Sequence, residues 1–271
     1  MFLPDTIDLA ESKKYILSIR LRPNGFYFSI HCPSDQSVFY QNSTTFKANS
    51  NYLKNIEQLI FDYSFFSYNY KQINVVCVED ETTFVPNEFF NEQMKSKFLS
   101  FNYNNPKEHV ISNEIKAQDC RVIFGIDASI HNFLSRALLN PSFSSHLSYL
   151  IPFFNHMHSN DSSALFVNFN DDSMTDIIAF DKEKLIFAKT LRATGYLNIS
   201  YFIQKTWETL NLNIQSDKLI FAGNITDHSE CIEMLKKVIL NTENLSFKLP
   251  NALKINTEEV PTEILNLLCE L

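Results

Sequence analysis

"SALFVNFNDDSMTDIIAFDKEKLIFAKTL", residues 163–191, reads as a strand, a polar turn, a second strand, another turn and a third strand. "SALFVNF", "MTDIIAF" and "KLIFAKTL" are apolar enough to be buried, and Asn170-Asp171-Asp172-Ser173 supplies the first turn. A polar loop between two buried strands is a common place to hold a phosphate, yet this one contains no glycine. Downstream, Ile199, Phe202, Ile203, Trp207 and Leu210 form one stripe of a helix over 196–212. A buried strand "KLIFAG" (218–223), a helix over 229–240, a strand "LSFKL" (245–249) and a final helix over 261–271 complete this half.

The same order is written once more upstream. "YILSIRLRPNGFYFSIHC" (15–32) alternates apolar and polar residues on both sides of Pro23-Asn24-Gly25, and Asn-Gly admits the positive φ of a hairpin turn. A third strand is expected over 37–46. Leu53, Ile56, Leu59, Ile60 and Tyr63 have helical spacing, with Asn49 or Ser50 as the cap. "INVVCVED" (73–80) is the short apolar run of a buried strand. An extended piece entering a helix near Pro86, strands at 109–115 and 120–126, a helix capped by Asp127 and an apolar helix over 146–158 follow. Three antiparallel strands extended by strand–helix units make a five-stranded mixed sheet with helices on both faces, a ribonuclease H-like unit. Two in tandem give an α/β chain of two domains, 1–160 and 161–271, divided near the turn-rich "HSNDSS" (158–163). That arrangement is the hallmark of actin-like folds.

Charge narrows the function. With 31 acidic and 23 basic residues the net charge is −8, which repels phosphate backbones, so no nucleic-acid partner is expected. Lys236-Lys237 reads as a solvated helix face. The 25 Phe and 11 Tyr point to an aromatic core. Cys32, Cys77, Cys120, Cys231 and Cys269 are scattered and form no CxxC, as free buried thiols of a reducing compartment do. "MFLPDTIDLAESKK" lacks the apolar core of a signal peptide, and no stretch reaches the roughly 18 apolar residues of a membrane span. A cytoplasmic location is the expectation.

The hairpin "SIRLRPNGFYFSI", the segment "FVPNEFF" (84–90), the meander "VNFNDDSMTDIIAFDKEKLIFAKTL" and "LIFAGNI" (219–225) together resemble an actin-like ATPase fold of the reduced kind found in pilus-assembly and type II secretion proteins. More closely, the chain resembles an uncharacterised Bacteroidetes family with that fold. The resemblance covers nearly the whole chain, is carried by the order of individually weak motifs, and implies a fold without an activity.

It also says where a nucleotide would sit. The first phosphate loop of actin-like ATPases needs an Asp on strand one; here Arg20 and Arg22 stand there. The second loop is Asp-x-Gly-Gly-Gly-Thr-Thr-Asp. The resemblance aligns its metal Asp with Asn168, its glycines with Asn170, Asp171 and Asp172, and its trailing Asp with Asp176. Like charges about 4 Å apart repel by about 4 kcal/mol at an effective dielectric of about 20, so Asp171 and Asp172 oppose a polyphosphate. The adenosine loop, normally Gly-Gly, is Ala222-Gly223-Asn224; Gly223 could let a base approach, but its favoured reading is structural, as the end of a strand before a helix capped by Thr226 or Asp227. The chain holds four glycines in all, so ATP hydrolysis is not expected, and neither ATP nor Mg²⁺ is expected as a cofactor.

Other chemistry is less well supplied. A two-metal nuclease needs carboxylates on strand one, which has none. His156 and His158 point from different helix faces, and His146, His156 and His158 read as core or solvated side chains. Cys231 follows His228 and Glu230 without a recognisable base-and-orienter arrangement. Two functions stay open. The expected one is a non-catalytic protein-binding or scaffold module with a degenerate cleft and an unidentified protein partner. The alternative is a nucleotide-binding protein, weak ATPase or kinase-like enzyme using Asn170, Asp171, Asp172, Ser173, Gly223 and Asn224 in a non-standard way.

Overall fold

The computed structural model describes residues 3–158, 162–170, 174–247 and 255–268, the side chain of Glu258 excepted. The chain opens with strands β1 (Ile16–Arg22), β2 (Gly25–Cys32) and β3 (Asp35–Thr45), helix α1 (Tyr52–Asp62) and strand β4 (Gln72–Cys77). Strand β5 (Thr82–Pro86), helix α2 (Lys95–Asn102) and strands β6 (His109–Ile115) and β7 (Cys120–Ile126) come next. Helix α3 (Ala128–Ala137), strand β8 (Ser142–Ser145) and helix α4 (Leu147–Met157) close this half. The second half runs β9 (Ser163–Phe169), β10 (Met174–Asp181), β11 (Lys184–Arg192), α5 (Tyr196–Thr209), β12 (Lys218–Gly223), α6 (Ser229–Lys236), β13 (Thr242–Asn244) and α7 (Thr262–Leu268).

Among the described residues these strands form three sheets. Two have five strands and one plan: β3-β2-β1-β4-β8 and β11-β10-β9-β12-β13. In each, the first three strands are antiparallel and the last two join in parallel. The third sheet, β5-β7-β6, is inserted between β4 and α3. So 109–115 and 120–126 are strands, as expected, but belong to this inserted sheet. The fifth strand of the first large sheet is β8, "SFSS", whose polar residues give no strand signal and which the sequence reading missed. Of the strand expected over 245–249, residues 248 and 249 lie outside the described residues and 245–247 are not strand; β12 pairs instead with Thr242–Asn244.

Local chemistry sets several boundaries. Asn51, rather than Asn49 or Ser50, caps α1, its side chain accepting from the Lys54 amide at 3.0 Å. Asp127 caps α3 as expected, accepting from Ser129 and Ile130. At the first hairpin the turn is Pro23-Asn24, and Gly25 already belongs to β2 with an ordinary negative φ. Gly25 is needed for space: a Cβ there would lie 2.5 Å from both the Arg22 guanidinium and the Thr44 carbonyl oxygen.

One face of the first sheet packs Leu17, Ile19, Phe26 and Phe28 against α1 and α3. One face of the second packs Leu165, Val167, Ile177 and Phe221 against α5 and α6. On its other face Phe166 stacks on Phe154 of α4, with ring centroids 4.6 Å apart. The surprise is the other face of the first sheet. Ser18, Arg20, Arg22, Ser29 and His31 alternate with the apolar residues as a water-facing set would, yet all are buried. Helix α7 and its approach return to this face: Val260, Ile264 and Leu265 cluster with Tyr27 of β2, Glu263 pairs with Arg20, and Asn266 donates to the Tyr149 carbonyl of α4.

A second tie joins the halves. Arg192 of β11 donates to both carboxylate oxygens of Asp80 at 3.0 and 3.1 Å. Lys189 donates to the Tyr103 hydroxyl at 2.7 Å, and Gln118 donates to the Glu183 carbonyl at 2.8 Å. The edge strand β11 is thereby fastened to the inserted sheet and its approach.

Gly25→Ala should lower stability by roughly 1–3 kcal/mol, because the added methyl meets a backbone carbonyl that cannot give way. A shift of the urea midpoint to lower concentration at unchanged slope checks this; an unshifted midpoint refutes it.

Candidate functional site

Strand alternation decides what meets between the sheets. On β9, Leu165, Val167 and Phe169 face α5 and α6, so Asn168 faces the other way. The register places Asp176 of β10 opposite Asn168, and Thr190 of β11 opposite Asp176. Three polar side chains thus form one cross-strand rung, all buried. From the first sheet, Arg20 lies on the face that α7 covers. His146 stands at the start of α4, and Thr262 and Glu263 open α7.

These groups form one sealed network. Asp176 is its hub. Its Oδ1 accepts from Thr190 at 2.7 Å and from His146 Nε2 at 2.9 Å. Its Oδ2 accepts from Asn168 at 2.9 Å and Asn170 at 2.7 Å. Asn170 Oδ1 in turn accepts from Arg20 Nη2 at 2.8 Å, and Arg20 Nε donates to Glu263 in a buried ion pair. Thr262 donates to Asn168 Oδ1 at 2.6 Å. The network therefore holds two buried cations and two buried carboxylates, and each charge has an opposite within hydrogen-bond reach.

The protonation state of His146 follows from its neighbours. Nδ1 faces the Cys77 carbonyl at 3.1 Å and Nε2 faces the Asp176 carboxylate, so both nitrogens are donors and the ring is an imidazolium. Burial by itself would drive that proton off, but the Asp176 charge and hydrogen bond outweigh it and hold the His146 pKa above its ordinary value. Burial by itself would raise Asp176; His146, Asn168 and Thr190 reverse this and hold it below the usual carboxylate range.

A cavity of about 460 Å³ opens beside the network. Arg20, Tyr27, Gln41, Asn170, Gly223 and Asn224 are on its wall. Three of the residues singled out from sequence, Asn170, Gly223 and Asn224, are thus brought together. Asp171, Asp172 and Ser173 lie outside the described residues. Gly223 has φ +77°, and a Cβ there would come within 2.2 Å of the Phe169 carbonyl oxygen, so glycine is required by the backbone itself. A 3-10 turn, Thr226–His228, follows and leads into α6, so Thr226 and Asp227 lie within that turn rather than at the N-cap position of the helix, which is His228. The Asn224 side chain receives the Asp227 amide at 3.3 Å and donates to the Asp227 carboxylate at 2.7 Å, and the Asn224 carbonyl receives His228 Nδ1 at 2.8 Å.

His146, Thr190, Thr262 and Glu263 were not found as site residues from sequence. Glu263 is 243 positions from Arg20, and nothing local marks the pairing. Asp176, open to reading as an exposed strand residue, is fully buried.

Two predictions follow from the network. Removing one partner takes this counter-charge from the other, so Glu263→Gln should cost up to about 3–5 kcal/mol while Arg20→Met/Glu263→Met together costs much less. A double-mutant cycle by urea unfolding reads this, and additive losses would contradict it. For pH, His146 contributes fully below its ordinary value of about 6.5 and loses its contribution as pH rises through its raised folded value. Asp176 contributes above about 3.9 and loses its share as pH falls through its lowered folded value. Wild-type stability should therefore fall relative to His146→Gln as pH climbs from about 6.5. Parallel curves would rule the imidazolium out.

Comparison with known proteins agrees with this architecture. A family model described as "Protein of unknown function (DUF3822)" matches residues 4–241. No curated protein matches. Among solved structures, a protein with actin-like ATPase fold and unknown function from Bacteroides thetaiotaomicron VPI-5482 is 25% identical, with a TM-score of 0.84 over 97% of this chain and 98% of that one. A chain of the PilM–PilN type IV pilus biogenesis complex is 11% identical with a TM-score of 0.55, over 93% and 94% of the two chains. The cytoplasmic domain of EpsL, an inner-membrane component of the type II secretion system of Vibrio cholerae, is 10% identical with a TM-score of 0.50, over 93% and 92%. The fold expected from sequence is thus the fold found. Among the described residues no helix is long and apolar enough to cross a membrane.

Proposed function

The chain belongs to the DUF3822 family of proteins of unknown function, and on that premise we propose that it is a non-catalytic, cytoplasmic actin-like-fold module that acts by binding another protein, with a degenerate nucleotide cleft. One observation carries this reading. The side chains at the two phosphate-loop positions bond to each other. Asp176 accepts four hydrogen bonds, filling its lone pairs, and the Arg20 charge is answered by Glu263.

On this reading the network residues are committed to one another rather than to a Mg²⁺–nucleotide. Magnesium needs carboxylate or water oxygens in octahedral array. Position 168 offers an amide whose oxygen already accepts from Thr262 and whose NH2 faces Asp176. The Arg192–Asp80 and Lys189–Tyr103 ties also favour a rigid body over one that opens and closes around a substrate. A chain of this fold is found with a protein partner in the PilM–PilN complex; that pairing belongs to that complex and supports only the class of function proposed.

A second reading has its own support. The cavity of about 460 Å³ has Asn170, Gly223 and Asn224 on its wall, with Asp171, Asp172 and Ser173 next along the chain, and is large enough for a nucleotide. On that reading these residues would hold a nucleotide in a weak ATPase or kinase-like site. Thermal melting with excess ATP, GTP and ADP, each with Mg²⁺, separates the two. We expect no shift. A ligand at about 100 times its dissociation constant should raise the melting temperature by roughly 5 °C or more, and such a rise would overturn the first reading.

A further inference from the structure

Four consecutive residues, Glu259, Val260, Pro261 and Thr262, form one wall of the cavity beside the network. They are the approach to α7 and its first residue, so that wall moves with the helix. Helix α7 has seven residues and is about 10 Å long, too short to persist without something to pack on. Ile264 and Leu265 rest on Tyr27, and Thr262 and Glu263 bond into the network. At the other end, Leu267 and Leu268 face His31 across a second pocket of about 190 Å³.

This contact seals polar atoms that it does not pair. Glu263 Oε1 is held by Arg20, but Glu263 Oε2 is closed to water with no hydrogen-bond partner, and so is His31 Nδ1. Each has lost its hydration without compensation. Burial, with help from Lys71, also holds the His31 pKa down to about 4, where an imidazole in water titrates near about 6.5. Lifting α7 returns Glu263 to water and takes Leu267 and Leu268 off the face that carries His31. The two sheets keep their other cover: α1 and α3 on the first, α5 and α6 on the second.

We propose that α7 is a releasable strap that gates the cavity: it lifts off the polar face of the first sheet while both sheets stay folded, and the wall at 259–262 goes with it. The gate serves whichever occupant the cavity takes, so it does not rest on the function proposed above.

Hydrogen exchange on the full chain in low urea tests this. The Ile264 and Leu265 amides donate to the Pro261 carbonyl at 2.9 and 3.0 Å. They should exchange through an opening about 100-fold or more frequent than that of the Leu17 and Ile19 amides of β1, with a shallower dependence on urea. Fraying of the helix alone would do as much, so pH supplies a second readout. Lifting hydrates His31, and the lifted state then takes up a proton that the closed state takes only near pH 4. The opening constant, corrected for the exchange chemistry itself, should rise about fourfold from about pH 7.5 to pH 6. Lys71 is the charged group acting on His31, and no charged side chain is among the described residues lining the pocket it faces. Glu263 in water titrates near about 4.3, below this window, and Asp176 holds the His146 proton through it. In His31→Leu the rise should vanish; if that variant does not fold, the urea and pH measurements on the unaltered chain decide alone. An α7 opening constant equal to that of β1, no rise toward pH 6, or an undiminished rise in folded His31→Leu would each overturn the proposal.

Discussion

A guanidinium shut away from water needs a carboxylate beside it, and in this chain the demand of Arg20 is met from the far end of the sequence by Glu263. The rest of the arrangement follows from that pairing. To bring Glu263 to β1, α7 must come to the polar face of the first sheet, where it and its approach also pack on Tyr27 and reach the pocket lined by His31. To give Arg20 its second partner, Asn170 must lie at the end of β9, which fixes the second sheet against the first. The ion pair is an organising contact more than a stabilising one, since buried pairs roughly break even against well-packed apolar groups.

The network also changes how the cleft is understood. Actin-like ATPases are expected to separate two loops with a charged ligand. Here Arg20 of β1 donates directly to Asn170 at the end of β9 at 2.8 Å, and Asn168, Asn170 and Thr262 complete the network at ordinary hydrogen-bond distances. Asp176 accepts from four donors, His146 among them. The Arg192–Asp80 tie starts from the strand that carries Thr190, two residues beyond it, and fastens β11 to the connection between β4 and β5.

Much of the architecture was legible because it rests on local periodicity. The meander over 163–191, the buried runs at 73–77 and 218–223 and the stripe of α5 each carry their own signal. What failed was local chemistry overruled by context. "SFSS" has no strand propensity and pairs only because β4 offers a free edge. Gly25 looked like a turn residue and proved to be a spacer. The alternation in β1 and β2 was read correctly as a pattern, but not that its polar half is buried. Of the site, Asn170, Gly223 and Asn224 could be found because the fold assigns them to loops. His146, Thr190 and Glu263 could not, because their roles exist only through contacts between distant segments.

The separation of Arg20 and Glu263 has a consequence for the chain as it is made. Synthesis adds about 5–20 residues per second, so the 243 positions between them take roughly 12–50 s. Through that interval the first sheet can form its hairpin and pack α1, yet one of its faces carries an arginine without its carboxylate and serines without a cover. A nascent chain in this state offers a polar, half-built surface to the ribosome exit and to chaperones. Completion comes in a single late event, when a seven-residue helix closes over strands that have waited for it.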